Sequence, residues 1–294
     1  MSLKTEMMKK MIRLKRKQEV WKDTKGEAFQ VKRENADPVN VFLYRPKNTN
    51  APYPVIFNIH GGAWVGCDAS ELDSYCLDMA EKCGAFIVNI NYTKLDIRPF
   101  PNPQNEIADT VKYFMDHSEE YQLDRERFAM MGFSAGGHLA AASTLILHEQ
   151  GIDLSAQVLC YPFLDFVKFN GLLDEKTMDV MKEVFFPEGV SVNDPYISPC
   201  AASEEQLKGI APAVFVCCGT DPLTEHSRKY NGLLKEAGVK TEFRVWEKAM
   251  HGFLEVNHKE YPDQDAKNPE QEAYAKEAEN YIAEELKKIW RKAQ

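Results

Sequence analysis

Three short patterns in the chain hold the residue types that acyl transfer needs. The first is Gly132-Phe133-Ser134-Ala135-Gly136, a G-x-S-x-G. A β-rich run, 127–133, leads into the serine, and a helical pattern follows at once with Gly137, His138, Leu139 and Ala140. A serine on so tight a strand-to-helix turn is held in a strained backbone conformation. Small residues two positions before and after it let neighbouring backbone approach. Its hydroxyl then projects above the sheet at a helix N-terminus, whose dipole favours a developing anion. The competing reading is an ordinary Gly-rich turn. A phosphate-cradling loop is disfavoured, because no Gly-Lys-Ser/Thr follows.

The second pattern, His60-Gly61-Gly62-Ala63-Trp64, ends the run 54–60. Two glycines permit a backbone shape that turns amide N–H groups toward one point, as an oxyanion hole requires. The third position is Ala63 rather than glycine, but its N–H is intact. A tight turn after a strand is the alternative. His60 itself reads as a residue that holds the loop by hydrogen bonding.

A serine nucleophile needs a base, and the base needs an orienting carboxylate. Run 213–219 leads into Thr220-Asp221-Pro222-Leu223, and run 241–246 is followed by a loop that contains Met250-His251-Gly252-Phe253. This gives the chain order Ser134, Asp221, His251. Asp165, which also follows a strand, competes for the acid role. Glu225 opens a helix and reads as an N-terminal charge. His138, on the helix after Ser134, reads as a packing residue, and His117, His148, His226 and His258 read as surface. No His/Asp/Glu set has metal-ligand spacing, so neither a metal nor another cofactor is expected.

These residues need a scaffold that brings strand ends to one edge. Short apolar runs recur at 54–60, 85–92, 127–133, 156–162, 213–219 and 241–246, with helical patterns between them at 70–83, 103–116, 135–149, 224–237 and 270–292. Most of the runs are continuous rather than alternating, as in strands buried on both faces of a parallel sheet. Residues 27–34 and 39–45 read as a hairpin turned by Asn35-Ala36-Asp37-Pro38. About fifty residues separate 156–162 from 213–219, including a helical stretch Leu172–Phe186 and the loop NDPYISPC. So long a connection reads as a functional cover over the carboxyl edge of the sheet.

The 294 residues suit one large α/β domain or two small ones. No apolar run approaches the ~20 residues of a membrane-spanning helix, so stable membrane insertion is not expected. The basic start lacks the apolar core of a signal peptide. Seven cysteines without metal or C-x-x-C spacing then read as reduced, mostly buried thiols of a cytoplasmic protein. Net charge is −9, which disfavours a nucleic-acid partner. Residues 1–25, however, hold nine basic and three acidic side chains, so the rest carries −15. Within that segment Leu3, Met7, Met11, Leu14 and Trp21 form one helical stripe. It reads as packing surface; a homodimer contact and a membrane-surface helix are the other readings.

Taken in order, HGGAW, the segment NYTK…PFPNPQNEIADTVKYF (91–114), GFSAGGHLA, NDPYISP, GTDPLTE and MHGF resemble the α/β-hydrolase superfamily, and within it the hormone-sensitive-lipase-like and acetyl-esterase-like carboxylesterases. The resemblance covers roughly residues 50–255. It implies an α/β-hydrolase fold: a mostly parallel central sheet of about eight strands flanked by helices, with a small helical cap. The core would be 26–164 and 201–294, and the cap 1–25 and 165–200. By position, Ser134 would be the nucleophile, His251 the base and Asp221 the acid. Gly62, Ala63 and Ala135 would supply oxyanion N–H groups, with Gly61 shaping the loop. HGGAW and GFSAGG depart from the family's usual HGGG-aromatic and GDSAGG, and both variants also resemble arylformamidase-like relatives. The expected partner is a small-molecule ester. Formamide or amide hydrolysis by the same triad is the alternative, and a non-catalytic ligand receptor on the same fold the third reading.

Overall fold

The computed structural model describes residues 3–19, 23–167, 181, 183–258 and 267–292. The strands are β1 (Glu27–Arg33), β2 (Ala36–Tyr44), β3 (Tyr53–Ile59), β4 (Phe86–Asn91), β5 (Leu123–Phe133), β6 (Ala156–Cys160), β7 (Ala213–Cys218) and β8 (Thr241–Trp246). They form one sheet in the order β1-β2-β4-β3-β5-β6-β7-β8. β1 and β2 pair antiparallel, β2 meets β4 antiparallel, and β4 through β8 run parallel.

The continuous apolar runs are explained by burial on both faces. Successive side chains of a strand point to opposite faces. In β3, Val55, Phe57 and Ile59 enter the core beneath the helices Asn102–Asp116, Ala135–Glu149 and Thr224–Glu236, while Ile56 enters the core beneath Asp73–Cys83 and Pro269–Lys292. Asn58 is polar and fully buried, and it donates to Asn89 at 2.9 Å on the neighbouring strand. Edge strand β8 alternates half-buried and exposed positions instead. Because β3 to β8 are parallel, their carboxyl ends share one edge, where ligands of open α/β sheets bind.

Several expected boundaries shift for local reasons. The hairpin turn is only Glu34-Asn35, with Asn35 at φ 55°, a left-handed value that asparagine tolerates. Ala36 to Pro38 already belong to β2, and Pro38 sits where the register with β1 is irregular, so its missing N–H breaks no regular ladder. β5 begins at Leu123, not 127; its charged start pairs with β3 only through Leu123 and Tyr53 before the register shifts. The 70–83 pattern divides into a 3₁₀ turn, Ala69–Leu72, with Asp68 and Glu71 forming a capping box, and the helix Asp73–Cys83. The single-turn helices Ser118–Tyr121, Glu204–Leu207 and Phe253–Val256 are too short to show a period in sequence. Of the stretch Leu172–Phe186, residues 172–180 and 182 lie outside the described residues, while 181 and 183–185 are helical. All seven cysteines are free thiols, and only Cys67 is not fully buried.

The N-terminal segment is a helix, Leu3–Glu19, but its orientation reverses the expectation that the apolar stripe packs. Met7, Met11 and Leu14 are 61%, 68% and 57% exposed. The side chains of Leu3 and Trp21 lie outside the described residues. The polar face turns inward: Arg13 Nε reaches Asp96 Oδ2 at 2.9 Å and Arg16 Nη1 reaches Asp96 Oδ1 at 2.6 Å. The Asp96 side chain is fully buried. A buried carboxylate left without a cation costs several kcal/mol, and this ion cluster sets which face of the helix docks. Among the described residues no helix is long and apolar enough to cross a membrane.

Candidate active site

Ser134 stands between β5 and the helix Ala135–Glu149 with φ 53° and ψ −114°. L residues rarely adopt such a backbone, and here close contacts fix it. A Cβ at Gly132 would lie 2.2 Å from the Gly136 carbonyl oxygen, and one at Gly136 would lie 2.2 Å from the Ile59 carbonyl oxygen. No side chain fits at either position, which explains both glycines of the G-x-S-x-G. The Ser134 amide donates to Cys160 O at 2.9 Å, pinning the turn to β6.

His251 Nε2 lies 2.8 Å from Ser134 Oγ, and His251 Nδ1 lies 2.6 Å from Asp221 Oδ2. With Nδ1–H donating to Asp221, Nε2 is left as acceptor for the serine hydroxyl proton. Asp221 is buried, and its other oxygen accepts the Leu223 amide at 2.9 Å. The loops that carry Asp221 and His251 are tied together: Thr220 Oγ1 donates to Ala249 O at 2.7 Å, and Gly219 N donates to Trp246 O at 2.9 Å. Burial pulls the His251 pKa down, but the hydrogen bond and charge of Asp221, with the charge of Glu255, leave it above the ordinary histidine value.

The loop after β3 is strained throughout. Gly62 has φ 102°, and Ala63 and Trp64 have φ 48° and 62°. Gly62 O accepts both Val65 N and Gly66 N, at 3.1 and 2.7 Å, which folds the loop back on itself. Among the described residues no protein acceptor takes the amides of Gly62, Ala63 or Ala135. Gly61 packs against the nucleophile turn: a Cβ there would lie 3.6 Å from Ser134 Cβ. His60 holds the loop, as the sequence suggests. Its Nδ1 donates to Gly61 O at 2.7 Å, its Nε2 accepts from Lys94 Nζ at 2.7 Å, and its ring stacks on Tyr92. Burial and the Lys94 charge push the His60 pKa well down, so it stays neutral, and burial lowers Lys94 to about 8.

The competing residues lie elsewhere. Asp165 is buried, but it is taken by Lys229 Nζ at 2.7 Å and by the Val167 amide at 2.9 Å. Glu225 is exposed in the first turn of its helix and pairs with Arg228. His138 is fully buried between Trp64 Nε1, which donates to its Nδ1 at 3.1 Å, and Ile197 O, 2.9 Å from its Nε2; burial lowers it to about 4. The surface reading fails for His226 and His258, both buried. His226 accepts the Leu164 amide and meets Phe163 edge-on, while His258 packs on Tyr75 beside Asp78. Their neighbours in sequence are polar, but their contacts come from distant elements. His117 and His148 are half-buried.

Four positioning residues carry no role that the sequence marks, although Lys94 falls within the NYTK segment. Lys94 fixes His60. Gln271 grips the histidine loop from both sides, accepting Met250 N at 2.9 Å and donating to Lys248 O at 3.0 Å. Arg16 donates to Val65 O in the loop after β3. Tyr161, at φ 37°, sets its ring against His251 and donates to Glu255 Oε2. None of these roles shows in the local sequence, because each acts across more than 20 residues.

A cavity of about 370 Å³ opens above Ser134 and His251, walled by Gly61, Cys67, Glu71, Leu72, Glu255 and Val256 among others. On the other side of the oxyanion loop Trp64 is enclosed by Phe163, Phe166 and Phe185.

Comparison with known proteins agrees with this architecture. Residues 56–255 match the model of a family described as having the alpha/beta hydrolase fold. An arylesterase of Saccharolobus solfataricus is 28% identical over 246 residues, covering 79% of this chain and 79% of that protein. An esterase of Gibberella moniliformis is 28% identical over 232 residues, covering 74% of this chain and 73% of that protein. Among solved structures, a thermostable esterase from Pseudomonas putida superposes with a TM-score of 0.78 at 25% identity, over 96% of this chain and 89% of that one.

Proposed function

The chain belongs to the alpha/beta hydrolase fold family, and from that premise we propose that it is a serine carboxylesterase hydrolysing small acyl esters through Ser134, His251 and Asp221. That it is a carboxylic ester hydrolase rests on its family and on the esterases among its relatives. The triad reading is carried by one observation: the continuous relay from Ser134 Oγ to His251 to buried Asp221, beside three amides without protein acceptors.

His251 Nε2 takes the hydroxyl proton as Ser134 Oγ bonds to the ester carbonyl carbon. The carbonyl oxygen becomes an oxyanion held by the N–H groups of Gly62, Ala63 and Ala135. Such donors are aimed in advance at the charge that develops, so they stabilise the transition state more than the substrate. The imidazolium, oriented by Asp221, gives its proton to the leaving alcohol and an acyl-enzyme remains. Water, deprotonated by His251, then attacks the acyl carbon, and Ser134 leaves with that proton as the acid is released. The partner is thus a small ester, and the reaction calls for no nucleic acid or membrane insertion. The helix Leu3–Glu19 and residues 183–200 are read as a cover over this edge; residues 168–180 and 182 of the expected cap lie outside the described residues. Phe100 N donating to Phe185 O at 3.0 Å, and Arg16 bonding the oxyanion loop, support that reading.

The test is hydrolysis of p-nitrophenyl esters from acetate to decanoate, with N-formylkynurenine and an acetylated xylo-oligosaccharide alongside. The expected result is turnover of the short esters, lost in Ser134→Ala. Cleavage of the formamide alone would move the chain to amide hydrolysis. Cleavage of none by folded protein would favour a ligand receptor.

A further inference from the structure

The cavity above Ser134 carries a carboxylate that the hydrolytic steps do not use. Glu255 lies on the single-turn helix Phe253–Val256, four residues after His251, and lines the cavity wall. Its Oε2 accepts from Tyr161 OH. Its Oε1 lies 3.6 Å from the point where a Cβ would stand on Gly61, and Ser134 Cβ lies 3.6 Å from that same point. Glu255 Oε1 and Ser134 therefore flank one small volume, and it is open because residue 61 has no side chain. Among the described residues no Lys or Arg forms an ion pair with Glu255; the one opposite charge acting on it is that of His251 when protonated. Glu71 lies on the same wall, its Oε1 accepting the Asp68 amide at 2.9 Å.

A carboxylate removed from water without a cation is costly unless something satisfies it. Three buried carboxylates described above each have a basic partner: Asp96 has two arginines, Asp165 has Lys229, and Asp221 has His251. Glu255 is half-buried and has the Tyr161 phenol and its own backbone N–H as partners but, among the described residues, no Lys or Arg, and it lines the space a substrate must enter. Resting on the esterase reading, we propose that Glu255 is a specificity-determining residue that recognises a protonated amine on the substrate, two or three bonds from the scissile ester oxygen. The preferred substrates would be small acyl esters of amino alcohols. An ammonium N–H donating to Glu255 Oε1 would give the carboxylate the cation it lacks among the described residues, and the charge of Glu71 would favour the same cation. A neutral alkyl group in that place would leave the carboxylate as it is and gain only contact with Leu72 and Val256.

The experiment compares two acetates of nearly equal shape, 2-(dimethylamino)ethyl acetate, protonated at pH 7, and neutral 3-methylbutyl acetate. The expected kcat/KM ratio is about tenfold or more in favour of the amine, the scale of one hydrogen bond to a charged group. Glu255→Gln, which keeps shape and a partner for Tyr161, should bring that ratio close to one. Because the substitution also removes a charge near His251, the ratio between substrates is the quantity read. A second measurement needs no variant: 2-(dimethylamino)ethanol should bind the intact enzyme about tenfold more tightly by calorimetry than 3-methylbutanol. Equal kcat/KM for the two esters, or equal binding of the two alcohols, overturns the assignment. Hydrolysis of 3-methylbutyl acetate at an ordinary rate would still leave the esterase reading standing. If neither ester is cleaved, the esterase reading falls, and the two alcohols still decide whether Glu255 selects a cation.

Discussion

The carboxyl edge of the sheet and the N-terminal helix solve opposite problems. At the sheet edge, four parallel strands deliver backbone to fixed points, and the proposed catalytic groups sit within five residues of a strand end. Ser134 directly follows β5, Asp221 comes shortly after β7, His251 lies in the loop after β8, and the oxyanion loop directly follows β3. The N-terminal helix has no such frame. Its docking is decided by one buried carboxylate, Asp96, which draws Arg13 and Arg16 inward and leaves Met7, Met11 and Leu14 in solvent. Hydrophobic periodicity predicts the burial of a face only when the surface beneath it is apolar. Here that surface holds a charge.

The sharpest separation of the two regions comes from the nucleophile. Ser134→Ala should lower kcat by about 10⁶ if chemistry limits the rate, the scale known for removing such a serine from a subtilisin triad. An organophosphate should label Ser134 and no other serine. Mass spectrometry finding the adduct elsewhere would end the assignment.

The acid comes next. Asp221→Asn keeps the geometry but disfavours the tautomer the base needs, and should cost up to about 10⁴ in kcat. Asp165→Asn, whose carboxylate serves Lys229, should change stability and leave turnover within a few-fold. A reversal of these two results would show that the wrong aspartate had been chosen. The oxyanion loop should give a smaller loss. Ala63→Pro removes one N–H and should cost about 10²–10³ in kcat. Ala63→Gly keeps the N–H and eases a position at φ 48°, so it should retain activity. Similar losses in both would leave no donor role for residue 63.

The pH profile is milder and has a definite sign. His251 must be neutral to accept the serine proton. Its pKa is raised above the ordinary value of about 6.5. Activity of the free enzyme, read as kcat/KM, should therefore climb with pH through an apparent pKa above 6.5. A plateau that already extends below pH 6 would contradict the influence of Asp221 and Glu255.

What sequence made legible follows the same division. The placement of Ser134, Asp221, His251 and the loop of Gly61 to Trp64 after strand ends is legible because strand–turn–helix signals are local: strained turns need glycine, and strand ends need polar loops. The six parallel strands were readable as apolar runs, with errors confined to ends such as the charged start of β5. The roles of Lys94, Gln271 and Tyr161 are not legible, because each acts through one side chain reaching a distant loop. The burial of His226 and His258 is hidden for the same reason. Their sequence neighbours are polar, while the aromatic rings that bury them come from residues 163 and 75.

The N-terminal helix gives the smallest expected effect and the most direct test of its reversed orientation. Arg16 bonds both Asp96 and the carbonyl of Val65, one residue beyond Trp64 in the oxyanion loop. Removing the guanidinium while keeping an unbranched stem, as in Arg16→Met, should loosen that loop. Oxyanion binding matters in the transition state, so the loss should fall on kcat, about three- to tenfold, with KM nearly unchanged. A stability change should accompany it. Burial pushes the Asp96 carboxyl up, but the hydrogen bonds and charges of Arg16 and Arg13 outweigh this and hold it below the ordinary carboxylate value. A carboxylate depressed in the folded state contributes stability above its unfolded pKa, and loses it as pH falls from the ordinary carboxylate range toward the lower folded value. Chemical denaturation at pH 7 should thus find Arg16→Met less stable than the parent, with the gap narrowing toward pH 3. The outward stripe makes the complementary forecast. If Met7, Met11 and Leu14 walled the acyl pocket, Met11→Ser would raise KM for a hexanoate ester severalfold, since each buried CH₂ is worth about 0.8 kcal/mol. With Met11 in solvent, KM for acetate and hexanoate should stay within twofold of the parent. A selective rise for hexanoate would mean that the stripe faces the substrate, and the inward-facing arginines would then need another explanation.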